Sequence, residues 1–435
     1  MDYLPNILFA VILILGIGYF AKNISKLRRN IKLGQDIDVS DNKSQRWKNM
    51  AMIALGQSKM VVRPVAGFLH IIVYLGFIII NIEVLEIVID GLFGTHRVLS
   101  GLGSFYGFLI ASFEILAVLV LIAVIVFWVR RNIIKLKRFW KREMTSWPKN
   151  DANYILYFEM VLMTLFLVMN ATDVQFQEMN SGNAISQFIA PWFEGFSEST
   201  LHLIERSAWW LHIIGILIFL NYLYFSKHLH ILLAFPNTYY GSLQPKGQLN
   251  NLEAVTKEVK MMMDPNVDPF AAPEPGTESD MPAKFGASDV QDLNWVQLLN
   301  AYTCTECGRC TSECPANQTG KQLSPRKIMM DTRDRLEEVG KNIDANKGVF
   351  KDDGKQLLDD YITREELWAC TSCNACVEAC PVNINPLSII MDMRRYLVME
   401  QSAAPTELNN MMTNIENNGA PWPYNQMDRL NWKNE

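Results

Sequence analysis

Five stretches of this chain, at 4–21, 65–89, 104–129, 153–172 and 208–233, are apolar and long enough to cross a bilayer as helices, which takes about 20 residues each. A segment in lipid must satisfy its backbone hydrogen bonds internally. The first half of the chain is therefore restricted to an all-α membrane bundle. The apolar residues concentrate in the first 235 of 435 positions, and the remainder has the composition of a water-soluble protein. A net charge of −5 gives no support for nucleic-acid binding. The first stretch begins Met-Asp, has no basic leader, and is followed by Lys26, Arg28, Arg29 and Lys32. It reads as a retained anchor with its N-terminus outside.

Charge in the loops sets the expected orientation. The segment after the first span carries Lys43, Arg46, Lys48, Lys59 and Arg63 besides those four. The segment after the third carries Arg130, Arg131, Lys135, Lys137, Arg138, Lys141, Arg142 and Lys149. The other two loops offer only Arg97 and Arg206. The positive-inside rule then places both basic loops and the C-terminal half in the cytoplasm, in the inner membrane of a cell.

Histidines and carboxylates inside a bilayer are expensive, and their default reading is functional. His70 falls near the cytoplasmic start of the second span, and His230 at the matching depth of the fifth. Paired histidines on facing helices are a known way to hold a b-type haem, so His70 and His230 are read as axial ligands. His212 is expected on the same helix face as His230, about five turns away and roughly 27 Å along the axis. Its partner position on the second span reads Ile78-Ile79-Ile80-Asn81. A second haem there would need His96 or His202 from the outer loops. The alternative is a quinone site in which His212 and Glu83, Glu86 and Glu114 handle protons.

Positions 236–294 read as a connecting arm. Its centre is the run Asp264-Pro-Asn-Val-Asp-Pro-Phe-Ala-Ala-Pro-Glu-Pro-Gly. A short helix is expected at 252–263, and Leu293, Trp295, Leu298 and Leu299 repeat with helical spacing ahead of the first cysteine.

All eight cysteines lie beyond the arm. Cys304-x2-Cys307-x2-Cys310-x3-Cys314-Pro315 is repeated as Cys370-x2-Cys373-x2-Cys376-x3-Cys380-Pro381, the spacing of bacterial two-cluster ferredoxins. Each triplet supplies three corners of one [4Fe–4S] cubane, and the fourth cysteine of each run ligates the other. Cys304, Cys307, Cys310 and Cys380 are thus assigned to one cluster, and Cys314, Cys370, Cys373 and Cys376 to its partner. Disulfides do not suit a cytoplasmic domain. Zinc does not explain a third cysteine plus proline twice over. An amphipathic helix is expected at 325–338, with Ile328, Met329 and Leu336 on one side, and Thr363-Arg-Glu-Glu366 matches a capping box.

The stretch from Trp295 through the first run to Ser324-Pro-Arg326 resembles the membrane iron–sulfur reductases related to heterodisulfide reductase. So does Leu367-Trp-Ala-Cys through Cys380-Pro-Val382, with Met391-Asp-Met-Arg-Arg-Tyr-Leu397. Within that group the chain is most similar to members that pass electrons between electron-transferring flavoprotein and menaquinone. Arg63-Pro-x2-Gly-x2-His70, His212 and His230 resemble the gamma subunit of respiratory nitrate reductase, where four histidines on the second and fifth helices hold two b haems. The missing second-span histidine means that the resemblance supports the inner haem. Many relatives also carry cysteine-rich CCG modules. With all eight cysteines committed, the resemblance implies a separate cytoplasmic CCG-type iron–sulfur or flavoprotein subunit.

The resulting expectation is a cytochrome b-like five-helix domain over 1–235, an arm over 236–294, and a mainly α-helical two-cluster ferredoxin-type domain over 295–435. Its work would be electron transfer between a cytoplasmic partner and menaquinone. A haem-free membrane-anchored ferredoxin acting as a docking wire is the alternative, with an iron–sulfur redox sensor as a third reading.

Overall fold

The computed structural model describes residues 3–265 and 284–434. The five spans are α1 (Leu4–Ile31), α2 (Pro64–Phe93), α3 (Ser104–Asn132), α4 (Trp147–Thr172) and α5 (Glu198–Leu223). Prolines within the first turn open α1, α2 and α4, where a missing N–H costs nothing. Each span from α2 to α5 packs on the next, and α1 closes the ring against α2 and α5. The outer faces remain apolar and uncovered, as Ile14, Leu85, Phe108, Ile122, Val161 and Ile218 show. In a bundle whose interior buries Phe113, Phe166 and Ile213, that exposed girdle is the surface lipid covers.

Four spans run somewhat past their expected ends, but the fifth is displaced. Hydropathy places it at 208–233; the helix begins at Glu198, capped by the Ser197 hydroxyl, and stops at Leu223. A short 3-10 turn, Lys227–Leu229, capped by Ser226, follows, and α6 (His230–Tyr239) starts anew. Polar demand breaks the helix. The Lys227 N–H donates to Asp151 Oδ2 at 3.2 Å, and its ammonium donates to the Pro148 carbonyl at 2.6 Å and to Glu306. His212 and His230 therefore do not share a helix face. The apolar residues past the break, Leu229 and Leu233, are buried against the C-terminal half rather than in the bundle.

The connecting segment is also less independent than expected. Its start, α6, packs on α7 (Trp295–Thr303), and its end, Ala287, Val290 and Leu293, lies in the core. The expected short helix is present at Glu253–Met263. Most of the proline run falls outside the described residues.

The C-terminal half is a helical layer of α7, α8 (Pro325–Ala345) and α9 (Pro386–Met399). Ile328, Met329 and Leu336 of α8 are buried as the pattern predicts. The Thr363–Glu366 capping box forms. Its core is continuous with Leu27 of α1, Ile155 of α4 and Leu223 of α5, so the two halves share one apolar interior. At that junction Gln35 pairs with Asn294 in an isolated parallel bridge. A side chain at Gly34 would meet the Leu293 carbonyl at 2.7 Å and the Trp295 nitrogen at 2.8 Å. Gly34→Val is expected to push these backbones apart at a cost of about 1–3 kcal/mol, the usual range for overpacking. It should speed protease cleavage between the halves. Unchanged cleavage kinetics would show that the contact is not needed for docking.

Candidate metal centres

The two cysteine runs repeat in backbone as well as in sequence. Glu306 and Ser372, each two residues after the first cysteine of its run, have φ of +52° and +56°. Gly308 and Asn374, two further on, have +70° and +60°. Left-handed residues at alternate positions turn the chain back on itself, so successive sulfurs face the same side. The fourth cysteines, Cys314 and Cys380, share an extended backbone ahead of proline or its neighbouring turn.

The grouping of sulfurs is crossed. The Cys310 thiol is electrostatically coupled to Cys304, Cys307 and, from the second run, Cys380, while Cys380 is coupled to Cys307. Cys370 and Cys376 are each coupled to Cys373 and, from the first run, Cys314. A further coupling, Cys310 to Cys376, joins the two groups. No cysteine is in a disulfide. Burial pushes the Cys304 and Cys376 thiols up to about 12 and Cys380 to about 11. Thiols held in this way are poor as free acids, and bound iron would relieve them by replacing their protons. Among the described residues, no three His, Cys, Asp or Glu side chains converge tightly enough for a single ion. The repeated C-x2-C-x2-C-x3-C-P spacing is that of two-cluster ferredoxins, and a tetrahedral zinc, which takes four ligands, leaves it unexplained. Ser372 N–H donates to Cys370 Sγ at 3.4 Å and Ile384 N–H to Cys380 Sγ at 3.3 Å, contacts of the kind that tune cluster potential.

The two groups face different surroundings. The group with Cys304 sits on the membrane half. Between Cys307 and Cys310, Arg309 donates to the Lys59 carbonyl at 3.0 Å and the Met60 carbonyl at 3.3 Å. Arg63 reaches Ser312 and Glu313, each at 2.8 Å. Fully buried Arg326 donates to the Arg138 carbonyl at 2.7 Å and to Glu143 at 2.6 Å. Glu306 is held by Lys227 on one side and by Arg333, at 2.8 Å, on the other. Burial alone would push the Glu306 carboxyl up, but these two cations outweigh it and keep it below the usual range. The second group is more open, and its Cys373 is exposed. Arg394 fixes this loop by donating to the carbonyls of Leu367 and Cys370 while lying over the Trp368 ring.

His70, His228 and His230 gather at the same end of the bundle. His70 is coupled to His230 and to Arg309 of the cysteine loop, and the His228 and His230 ring centroids lie 5.7 Å apart. His230 Nδ1 is 3.1 Å from the Lys227 carbonyl, an arrangement that fixes the ring and leaves Nε2 free for a metal. His70 Nδ1 is buried without a partner. Burial pushes His230 and His228 down, toward the neutral imidazole that ligates metals. His70 and His230, the pair expected as axial ligands, thus lie at the same end of the bundle, each with a ring nitrogen that donates to no described residue.

The remaining predicted residues fall in separate places. His212 lines a slot of about 70 Å³ between α2 and α5, with Asn81, Glu159 and apolar side chains, and its Nδ1 has no partner. Glu83 and Glu86 line an outer cavity of about 390 Å³, with Asp90, Arg97 and Glu205. Both border α2, where Val84 lines the slot and Glu83 the cavity. Glu114 is in neither: it accepts from the N–H groups of Ile185 and Ser186 at 2.7 and 3.0 Å and from Asn170 at 3.0 Å. Its signal as an intramembrane acid reflects a structural anchor for the outer loop. His96 pairs with Asp173 at 3.2 Å, and His202 lies exposed by Glu205, so neither approaches His212. Glu159 was missed, although a lone acid in the fourth apolar run was visible in the sequence.

The fold and site define a membrane-embedded iron–sulfur protein with an electron-transfer role. Residues 303–384 match the family of 4Fe-4S dicluster domains. The chain is 30% identical over 99% of its length to a Bacillus subtilis protein named "Probable iron-sulfur-binding oxidoreductase FadF", covering 61% of that protein. It is 25% identical over 92% of its length to the "EtfAB:quinone oxidoreductase" of Syntrophomonas wolfei, covering 55% of it. Over 35% of its length it is 28% identical to one polypeptide of the dihydromethanophenazine:CoB–CoM heterodisulfide reductase of Methanosarcina mazei, covering 37% of that polypeptide. The chain thus spans somewhat more than half of the two longest-matching relatives. No solved structure matches. The chain is thus similar to iron–sulfur oxidoreductases and to heterodisulfide reductase subunits, which support a membrane electron-transfer role.

Two outcomes follow from the geometry. Cys380→Ala and Cys314→Ala should each remove one cluster, lowering iron from about 8 to about 4 per chain, and electron paramagnetic resonance should show a different cluster surviving in each. Loss of the same signal in both would break the crossed assignment. Lys227→Met leaves Asp151 and Glu306 buried beside an apolar chain, and removing one partner of a buried pair costs about 3–5 kcal/mol. A markedly lower melting temperature with loss of the membrane-side cluster is expected, and an unaltered one would deny Lys227 this role.

Proposed function

We propose that this chain relays electrons between a cytoplasmic redox partner and menaquinone in the bilayer. The observation that carries this reading is that Arg309 of the first cysteine loop donates to the Lys59 and Met60 carbonyls just ahead of the second span. The loop proposed to hold a cluster and the span that carries His70 therefore meet at one junction. When bound, two [4Fe–4S] clusters ligated as above and a b-type haem held by His70 and His230 supply one-electron carriers.

The chain's own residues do the rest. Exposed Cys373 marks the side on which a partner reaches the outer cluster site. Lys227, Glu306 and Arg333 hold the inner site against the membrane. In the bilayer, His212, Asn81 and Glu159 line a polar slot of about 70 Å³, with room for water and protons beside a quinone rather than for its ring, and Glu83 and Glu86 lie farther along α2 in a separate cavity. Glu83 Oε2 is buried without a partner, as a proton-carrying group would be. The iron–sulfur domain is read as cytoplasmic because the basic loops that cradle it obey the positive-inside rule. The Syntrophomonas wolfei relative favours electron-transferring flavoprotein, through a CCG-type subunit, as the partner pathway.

A visible spectrum of the dithionite-reduced protein tests the reading. Wild type should show b-type alpha and Soret bands, and His70→Ala and His230→Ala should abolish them while leaving both cluster signals. His212→Ala and Glu159→Gln should retain the bands yet lower quinone turnover by at least tenfold, the scale of a lost proton-transfer group. Fully iron-loaded protein without b-type bands would favour the haem-free membrane-anchored ferredoxin instead.

A further inference from the structure

Cations facing the iron–sulfur junction are mostly matched by carboxylates or carbonyls, but one group is not. A groove of about 490 Å³ opens where α2 begins and α3 ends, lined by Arg63, Arg130, Lys137 and Arg138 beside Val62 and Val65. Among the described residues, no carboxylate lines it. Arg63 has an acidic partner, Glu313, at 2.8 Å. The Arg130 and Lys137 side chains donate to no described residue. Arg138 lies over the Phe139 ring, 4.8 Å from its centroid, and its Nε is buried with no acceptor. Its charged neighbours are Arg63, Arg130, Arg309 and the Cys307 thiol. Arg309 is coupled to Cys307 and Cys380 and Lys59 to Cys380, whereas Arg130 and Lys137 line the groove.

Cations held together in a partly buried cleft repel one another unless an anion joins them. The cleft's position narrows the choice of anion. It lies at the ends of two membrane spans, where the phosphates of one leaflet run, and it borders apolar side chains exposed to lipid: Val62, Val65, Ile133 and Ile134. A free phosphate would use the cations but not this apolar rim. A phospholipid would use both, and a basic pocket between spans is a suitable receptor for an acidic headgroup.

We propose that this groove binds the phosphate of an anionic phospholipid, with Arg130, Lys137 and Arg138 as donors and the apolar rim guiding the acyl chains. The full-length protein, washed in neutral detergent, would be assayed for retained phospholipid by native mass spectrometry and titrated with phosphatidylglycerol or phosphatidylcholine. Wild type should retain phosphatidylglycerol selectively. The Arg130→Gln, Lys137→Gln double variant should weaken that binding on the order of 30-fold, the expectation for two charges at a membrane surface. The charge-keeping Arg130→Lys, Lys137→Arg variant should restore it. Iron content and melting in phosphatidylcholine should be the same for all three proteins, which separates lipid loss from misfolding. Equal binding of both lipids, equal binding by the charge-removed variant, or displacement of the lipid by millimolar inorganic phosphate would overturn the proposal.

Discussion

An ammonium group buried at the foot of the bundle sets much of this structure. Lys227 has almost no access to water and lies between Asp151 of the fourth span and Glu306 of the first cysteine loop. Desolvating a lysine costs several kcal/mol, which the pair offsets only where geometry and further hydrogen bonds are good. Here the Pro148 carbonyl and Arg333 complete the network. To reach it, the chain must leave the fifth helix at Leu223 and turn, and that turn presents His230 beside His70. The same contact fixes the loop holding Cys304 and Cys307. Membrane span, histidine pair and cluster loop are thus registered by one group of charges. Its contribution is placement more than net stability.

Stability comes from the shared apolar core around that group. Leu229 and Leu233 follow the turn and are buried with Leu298, Ile328 and Leu336 of the C-terminal half. Asn30 of α1 donates to the Tyr302 hydroxyl at 2.9 Å, tying α1 to α7. A ferredoxin on a flexible tether would sample many distances from the bilayer. This one packs directly on the spans through a shared core.

The sequence made the cysteine repeat and the spans legible because each depends on local pattern: ligand spacing in one case and a continuous apolar run in the other. The Thr363 cap and the buried face of α8 were readable for the same reason. The fifth span was misplaced because hydropathy reports that Leu229, Ile231, Leu232 and Leu233 are apolar but not what covers them. Lipid and a protein core look alike on that scale. The arm was misjudged at both ends for a similar reason, since a few residues such as Val290 and Leu293 suffice to fill a core. No local pattern pairs Lys227 with Glu306, which are distant in sequence.

The intramembrane acids show how far composition carries a functional reading. Glu83, Glu86 and Glu114 are equivalent by hydropathy and all buried, yet their hydrogen-bond partners differ. Glu114 accepts three hydrogen bonds and anchors a loop. Glu86 accepts from the Leu99 N–H at 2.8 Å and the Tyr106 hydroxyl at 3.1 Å while facing the outer cavity. Glu83 keeps one buried oxygen with no partner. An unsatisfied buried polar atom costs about 1–3 kcal/mol, and a fold that could place an apolar residue there gains nothing structural by keeping it. The same reasoning applies to His212, whose Nδ1 is likewise unpartnered beside Glu159 in the slot. Unpartnered polar atoms also occur on Asn23 and Asn221 of the spans, so what sets Glu83 and His212 apart is that their orphaned atoms belong to residues lining a cavity and a slot.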